Sequence, residues 1–155
     1  MASKSAASNN EQSRLPTSVA LVLCRGNDLL LIRRFCTGYG DGCYAFPGGR
    51  LDGAETVTRA AIREAHEEIG IILQPEDLTM LHVVHVSRSP ISPESIGFLM
   101  KASVWGGEPI NREPHKHDEL RWFARDQLPE NILPTHRHFF NMVERGIFYS
   151  EFGWD

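Results

Sequence analysis

Three glutamates lie close together in the middle of the chain, at positions 64, 67 and 68. In an α-helix, residues three and four positions apart share a face, so Glu64, Glu67 and Glu68 would present three carboxylates on one side. Like charges four residues apart destabilise an isolated helix by about 0.2–0.5 kcal/mol, whereas a bound cation would reverse that effect. Hard divalent cations such as Mg²⁺ prefer carboxylate and carbonyl oxygens and usually bind together with substrate phosphates. The three glutamates therefore indicate a metal site for a phosphate-containing substrate.

The same glutamates allow a second interpretation, because an Arg-Glu-x-x-Glu-Glu run on a helix is usually a solvated face. The surrounding glycines and charged residues distinguish the two interpretations. They follow the spacing G-x5-E-x7-R-E-U-x-E-E-x-G-U, in which U is an aliphatic residue, and they are Gly49, Glu55, Arg63, Glu64, Glu67, Glu68 and Gly70. A solvated face does not require this combination, so the spacing favours a functional site.

This spacing resembles the Nudix box of the Nudix (MutT-like) hydrolases. All the fixed glycine and charged positions match, and the first aliphatic position is the small Ala65, a departure that concerns packing rather than chemistry. The similarity continues into Phe46-Pro47-Gly48-Gly49 before the box, and into Trp122-Phe123 and Leu128-Pro129 after it. The resemblance implies an α/β fold, the Nudix-type α/β/α sandwich with a mixed β-sheet, in which the box forms a loop, a helix and a loop.

The resemblance also implies a set of metal ligands and a cofactor. The ligands would be the carboxylates of Glu64, Glu67 and Glu68, together with the carbonyl oxygen of Gly48. The cofactor would be Mg²⁺, which Mn²⁺ could replace. The reaction would be hydrolysis of a phosphoanhydride bond in a nucleoside triphosphate or another nucleoside diphosphate derivative.

The catalytic set implied by the box consists of Glu67, Glu64 and Arg63, with an ion pair between Arg63 and Glu55 that fixes the loop on the helix. Attack of water on a phosphoanhydride requires neutralised phosphate oxygens, an activated water and a held leaving group, and metal ions can supply all three. Clustered carboxylates raise one another's proton affinity, so one of them could serve as general base near neutral pH. The sequence leaves open which one does.

Four residues outside the helix are candidates for substrate binding: Arg33, Arg34, Phe46 and Glu119. The two arginines could contact phosphate, and Phe46 could stack on a base. Glu119 precedes a predicted strand, where related enzymes often place an additional metal-binding carboxylate. Each has an ordinary alternative, namely a solvated arginine, a core aromatic residue and a surface glutamate at the end of a loop.

Histidines and cysteines do not indicate a zinc site. His115-Lys-His117 and His136-Arg-His138 have no neighbouring cysteine, and alternation alone does not give tetrahedral geometry. His115 or His117 could still contact a phosphate. The three cysteines show no C-x-x-C spacing, which argues against a disulfide framework and favours a reducing, cytoplasmic compartment.

The elements that must position these residues follow from hydrophobic periodicity and from glycine and proline. A buried strand begins near Thr17, turns at residues 26–28 and continues into a hairpin partner over 29–32, and a loop over 37–42 leads to an extended piece at 44–46. The most clearly marked helix spans Thr56 to Ile69, where Gly70 ends it. Further strands are predicted at 81–86, 96–104 and 120–123, a polar loop at 109–118, and a last helix at 135–145.

The composition predicts one domain and excludes several classes of partner. The chain has 155 residues, of which 41% are hydrophobic and 23% charged, with a formal net charge of −4. This charge argues against a broad basic surface for nucleic-acid polymers, and no apolar run reaches membrane-spanning length. Residues 1–15 lack large apolar side chains and are predicted to form a disordered tail before a Nudix hydrolase domain over 16–155. The expected partner is a small nucleotide, bound by a monomer or a homodimer.

A Nudix-fold module that binds and senses a nucleotide without turnover is the alternative to a hydrolase. The intact set of box carboxylates favours catalysis, because a sensor has no need to keep all of them. An isoprenoid diphosphate isomerase would require a nucleophilic cysteine in a specific motif, which is not found around Cys24, Cys36 or Cys43. Leu133-Pro134 is followed by Thr135-His136 rather than by acidic residues, which disfavours oxidised guanine as the substrate.

Overall fold

The computed structural model describes residues 14–155. Except for Arg14 and Leu15, the predicted tail lies outside the described residues. The elements are β1 (Thr17–Arg25), β2 (Asp28–Arg34), β3 (Tyr44–Ala45), β4 (Gly48–Arg50), α1 (Val57–Ile69), a 3₁₀ turn (Pro75–Asp77), β5 (Leu78–Val86), β6 (Ser95–Ala102), β7 (His117–Ala124), α2 (Pro134–Glu144) and β8 (Tyr149–Phe152).

The strands form a mixed sheet with two parts that meet at the end of β1. In the first part β1 pairs in parallel with β6, and β5 joins β6 in antiparallel and β8 in parallel. In the second part β2 pairs in antiparallel with β3 and β7. The predicted hairpin between β1 and β2 is restricted to two residue pairs next to the turn, Cys24 with Leu29 and Arg25 with Asp28. The main partner of β2 is β7.

The edge of β1 that β2 leaves free is occupied by β4. Ser18, Val19 and Ala20 of β1 pair with the Gly48–Arg50 strand. This pairing places the glycine loop directly beside the buried centre of the sheet. The loop therefore joins the sheet to the helix that follows it.

Helix α1 has clear signals at both ends. The side chain of Thr56 accepts a hydrogen bond from the backbone N–H of Arg59 at 3.2 Å, and Gly70 ends the helix in the left-handed conformation with φ 71°. Ala65 and Ile69 are fully buried and pack the helix on one face of the sheet. Helix α2 packs on the other face through Phe139. The predicted α/β/α sandwich with a mixed sheet is confirmed.

The main differences from the sequence prediction concern four strands. β4 and β8 were not predicted, β5 begins at Leu78 rather than at Leu81, and β7 begins inside the predicted loop, at His117. β4 contains two glycines, and β8 is short and half polar, so neither has a strand-like pattern of its own. Within residues 14–155, neither helix has the length and apolar character needed to cross a membrane.

Candidate metal and substrate site

Arg63 holds the glycine loop and the acidic face of α1 together. Its Nε and Nη2 donate to the two carboxylate oxygens of Glu55 at 3.1 and 2.6 Å, and Nη2 also donates to the carbonyl of Arg50 at 3.1 Å. Nη1 donates to Glu64 at 2.9 Å and to Glu67 at 3.2 Å. The hydrogen bonds to Glu55 raise the pKa of Arg63, and those from Arg63 lower the pKa of Glu55. The ion pair expected between Arg63 and Glu55 is thus present, as part of a larger network.

Glu68 is the most buried of the three box glutamates, with 6% of its surface exposed. Its Oε2 accepts a hydrogen bond from the backbone N–H of Gly48 at 2.7 Å. Burial raises the pKa of Glu68 to about 8, because the N–H of Gly48 offsets only part of the desolvation and Glu64 and Glu113 add negative charge nearby. A buried carboxylate with this environment is suited to accept a cation.

Glu68 lies in a group with Glu113 and His117, and one potential ligand atom of each lies within 4.8 Å of the others. Nε2 of His117 is 3.4 Å from Oε1 of Glu68, and Nδ1 of His117 is buried without a hydrogen-bond partner among the described residues. Burial lowers the pKa of His117, which favours the neutral, ligating form of the ring. Two carboxylates and an imidazole are donors that a divalent cation accepts, so this group could hold one.

The polar loop before β7 brings Glu113 to the helix. The backbone N–H groups of Ile110 and Arg112 donate to the carbonyls of Ile69 and Glu68, both at 3.0 Å. These bonds fold the loop over the last turn of α1. Sequence reasoning missed Glu113 because its proximity to Glu68 depends on this long-range docking, although the unpaired carbonyls at a helix end are a general signal for such partners.

Glu64 and Glu67 do not share the group formed around Glu68. Both accept from Arg63, and the carboxylate of Glu64 lies so close to Gly49 that a Cβ there would approach Oε1 to 2.2 Å. Burial raises the pKa of Glu64, with Arg63 acting in the opposite direction. The structure therefore brings all three glutamates to one face of α1 but pairs two of them with an arginine.

Arg33 and Glu119 lie away from Glu68. Arg33 donates to the two oxygens of Asp118 at 2.7 and 3.1 Å and lies 3.6 Å from Glu119, whose carboxylate accepts from the hydroxyl of Tyr44. Glu119 lies inside β7 rather than before a strand, and it is not among the three residues grouped around Glu68. Its predicted role in binding the metal or the substrate stays a prediction.

Arg34 and Phe46 line a large cavity on the α2 side of the sheet, with a volume of about 830 Å³. Arg34 donates to the carbonyl of Tyr39 at 2.7 Å and to the hydroxyl of Thr37 at 3.0 Å. Phe46 is 2% exposed, so it forms part of the wall and does not offer an open ring face for stacking. The ordinary alternative, a core aromatic residue, describes Phe46 better.

The glycine loop lies between the cavity and the carboxylates. Gly48 and Gly49 line the cavity, and the same two residues contact Glu68 and Glu64. A volume of this size is typical of a site for a small molecule.

Comparisons with known proteins agree with this geometry. A family model for the NUDIX domain matches residues 14–143. The NAD-capped RNA hydrolase NudC of Stutzerimonas stutzeri (strain A1501) is 30% identical over 116 residues, which are 75% of this chain and 39% of that protein. The oxidized purine nucleoside triphosphate hydrolase of Mus musculus is 31% identical over 135 residues, covering 84% of this chain and 80% of that protein. This chain thus spans about two fifths of NudC and most of the mouse enzyme.

A solved structure extends the comparison to the fold. The crystal structure of a MutT NUDIX hydrolase from Burkholderia pseudomallei matches with a TM-score of 0.78 and 32% identity, over 84% of this chain and 99% of that one. The residues matched by the family model, 14–143, include the glycine loop and α1. This chain belongs to the Nudix (MutT-like) family.

Proposed function

We propose that this chain is a metal-dependent hydrolase that cleaves a phosphoanhydride bond in a nucleoside triphosphate or another nucleoside diphosphate derivative. The observation that carries the proposal is the double contact of the glycine loop. Gly48 and Gly49 touch the carboxylates of Glu68 and Glu64 on one side, and on the other they line a cavity of about 830 Å³, a volume that can accept a nucleoside. A substrate with a base in the cavity would have its phosphates near the acidic face of α1.

The proposed cofactor is Mg²⁺, with Mn²⁺ able to replace it. Glu64, Glu67, Glu68 and the carbonyl of Gly48 would hold the cation, with Glu113 and His117 next to Glu68 as further donors. When bound, the cation supplies charge neutralisation at the phosphate oxygens and an activated water. Arg63 is a positioning residue in this proposal, because its hydrogen bonds hold the carboxylates of Glu64 and Glu67 in place.

Positively charged side chains would also contact the substrate phosphates directly, in addition to the metal ion. Lys116 pairs with Glu113 at 2.8 Å, and this contact raises the pKa of Lys116. The charged ammonium group of Lys116 therefore lies beside the group formed by Glu68, Glu113 and His117. Arg34 lines the cavity and would attract a negatively charged ligand. These positive side chains support the view that an acidic protein binds a polyphosphate.

The proposed setting is the cytoplasm, with a monomer or a homodimer acting on a small nucleotide. Cys24, Cys36 and Cys43 are all free, which agrees with a reducing compartment. The names of the relatives include both a nucleoside triphosphate hydrolase and a hydrolase of capped RNA. The expectation that nucleic-acid polymers are not substrates therefore needs a direct test.

The test is a turnover screen with Mg²⁺ or Mn²⁺ over the common nucleoside triphosphates, an oxidised purine nucleoside triphosphate, ADP-ribose and NAD-capped RNA. Release of phosphate, pyrophosphate or a nucleoside monophosphate identifies the cleaved bond. We expect metal-dependent turnover of a small nucleotide, and turnover lower by at least about a hundredfold with Glu68→Gln as the matched control. Tight nucleotide binding without turnover under either metal would contradict the proposal and establish the sensing module instead.

A further inference from the structure

His136 occupies a special place in the wall of the cavity. It lies in the first turn of α2, and its imidazole stacks on the ring of Phe46 with a centroid distance of 5.8 Å and an interplanar angle of 17°. The ring of Phe139 meets it edge to face, also at 5.8 Å. Two aromatic rings thus fix the orientation of the imidazole, and the half-buried residue contributes to the cavity surface.

A backbone hydrogen bond decides which nitrogen of His136 carries the proton. The N–H of Phe46 donates to Nδ1 at 3.0 Å, so Nδ1 has a lone pair and no proton. Burial lowers the pKa of His136 to about 4, and the nearby Arg34 lowers it further in the same direction. The ring is therefore neutral at physiological pH, and its proton resides on Nε2.

Nε2 of His136 has no hydrogen-bond partner among residues 14–155. The cavity lining combines apolar residues such as Val84 with hydroxyl side chains such as Ser18 and Ser95, and none of the described residues pairs with Nε2. A donor in a cavity wall without a protein partner loses its hydrogen bond to water when a ligand enters, and that cost is removed when the ligand supplies an acceptor. The wall thus carries a donor of fixed orientation and fixed protonation.

We propose that His136 determines base specificity, by donating a hydrogen bond from Nε2 to an oxo group of the nucleotide base in the cavity. The inference rests on the proposed function and narrows its substrate class to nucleotides with an oxo base edge. An amino group at the same place would bring two donors together and leave both unpaired. Inosine and uridine nucleotides should therefore be preferred over adenosine and cytidine nucleotides, from which they differ by an oxo group in place of an amino group.

The first measurement is kcat/KM with Mg²⁺ for two matched pairs, inosine against adenosine triphosphate and uridine against cytidine triphosphate. We expect the oxo member to be favoured by about five- to tenfold in at least one pair, the size that one neutral hydrogen bond contributes. Equal rates within both pairs, or a preference for the amino member, would overturn the proposal.

Two substitutions separate specificity from structure at His136. In His136→Asn, the side-chain oxygen can replace Nδ1 as the acceptor for Phe46, whereas no donor reaches the cavity. This variant should keep the parental melting temperature and lose the preference within each pair. In His136→Gln, the longer amide can donate into the cavity but leaves the N–H of Phe46 unpaired. It should keep the preference and melt at a lower temperature.

A binding experiment distinguishes failure of this inference from failure of the proposed function. Calorimetry without metal compares inosine and adenosine monophosphate, which cannot be turned over. Tighter binding of the inosine compound to the parent, lost in His136→Asn, would support the inference even if no nucleotide is hydrolysed. Turnover with an unchanged preference in His136→Asn would overturn the inference and leave the hydrolase proposal standing. Absence of both binding and turnover would overturn both.

Discussion

The buried carboxylate of Glu68 shows how a single residue combines structural and chemical demands. It lies on α1, accepts from Gly48 in the loop and stands beside His117 of β7. Burial raises its pKa to about 8 and costs the folded state free energy when no cation neutralises the carboxylate. A position with this cost is best explained by a ligand that removes it.

Glu68→Gln should lower metal-dependent turnover by at least about a hundredfold, because the variant keeps the size of the side chain and loses the charge that would hold the cation. Without metal its melting temperature should be equal to or higher than that of the parent. In the folded protein the pKa of Glu68 is about 8, above the ordinary value of 4.5. The contribution of protonated Glu68 to folding stability is therefore complete below pH 4.5 and is lost as pH rises through about 8. The gain in the variant should therefore be largest above pH 8.

Melting curves with and without Mg²⁺ complete this test. Added Mg²⁺ should stabilise the parent more than Glu68→Gln, because a ligand stabilises the folded state in proportion to its affinity. Equal turnover of the two proteins at saturating Mg²⁺ would contradict ligation by Glu68.

Arg63→Ala should lower stability and activity together, with a melting temperature that falls by several degrees and turnover that falls by at least about tenfold. The substitution leaves Glu55 without its partner, frees the carbonyl of Arg50 and removes the shared donor of Glu64 and Glu67. Arg63→Lys should restore only part of either quantity, since a point charge cannot reproduce a planar, forked donor. Full activity with an unchanged melting temperature would be inconsistent with the network.

At this scale the sequence predicted the residues of α1 but did not show which residues tertiary contacts bring next to them. Glu64, Glu67, Glu68 and Arg63 could be placed on one face because the helical period is a local property. Glu113 and His117 are distant in sequence from Glu68, and their approach depends on how the preceding loop docks. Only a folded chain contains that information.

At the scale of elements, the short loop that includes β4 connects the candidate site to the sheet, since it pairs with β1 and contacts Glu68. Gly48 has φ 147°, and a Cβ on it would approach the carbonyl oxygen of Val19 to 2.0 Å. Gly49 meets instead the flexible end of Glu64. The two adjacent glycines therefore serve different purposes, one for the fit to β1 and the other for the fit to the acidic side chain.

Gly48→Ala and Gly49→Ala should consequently have different effects. Gly48→Ala should lower the melting temperature strongly, because a backbone atom blocks the new methyl group and the backbone conformation is strained for alanine. Gly49→Ala should change the melting temperature much less, because the new methyl group meets only the flexible end of Glu64. It should reduce turnover, because the methyl group displaces the carboxylate of Glu64 from its position in the site. Thermal melting and turnover of both variants test this, and equal losses of stability would contradict it.

The sequence predicted elements well where one local signal dominates and poorly where pairing decides. α1 was predicted to within a residue because its cap at Thr56, its continuous run of helix-favouring residues and Gly70 act together. β8 could not be predicted, since it exists through parallel pairing with β5. The hairpin expected between β1 and β2 is limited to two pairs, because β4 occupies the rest of that edge of β1 and β3 occupies the rest of that edge of β2.

At the scale of the whole molecule, removal of residues 1–15 should leave fold and activity nearly unchanged. The first strand begins at Thr17, and the carbonyl of Pro16 already accepts from the N–H of Ile96 in β6. A chain that starts at Pro16 keeps that contact and every residue of the site. Thermal melting and turnover of the shortened and full chains provide the comparison, and a large loss of either would show that the removed segment supports the fold.

The pH dependence of stability adds contributions from several buried groups of opposite sign. His136 has a folded pKa of about 4 against an ordinary value of 6.5, so the unfolded chain binds a proton that the folded chain does not between those values. Its stability contribution is complete above pH 6.5 and is lost as pH falls towards 4. The lowered pKa values of His117 and His138 act in the same direction, whereas Glu68 acts in the opposite one.

His136→Asn isolates one of these contributions, because asparagine does not titrate and can still accept from Phe46. Between pH 7 and pH 4.5 the melting temperature of the parent should fall by several degrees more than that of the variant. The two proteins should therefore melt together near pH 7 and separate as the solution becomes acidic, with the parent melting at the lower temperature. Thermal melting of both proteins at pH 7 and 4.5 in matched ionic strength measures the difference. Parallel curves over this interval would mean that His136 is already accessible to protons in the folded protein, which is incompatible with a neutral imidazole held in the cavity wall.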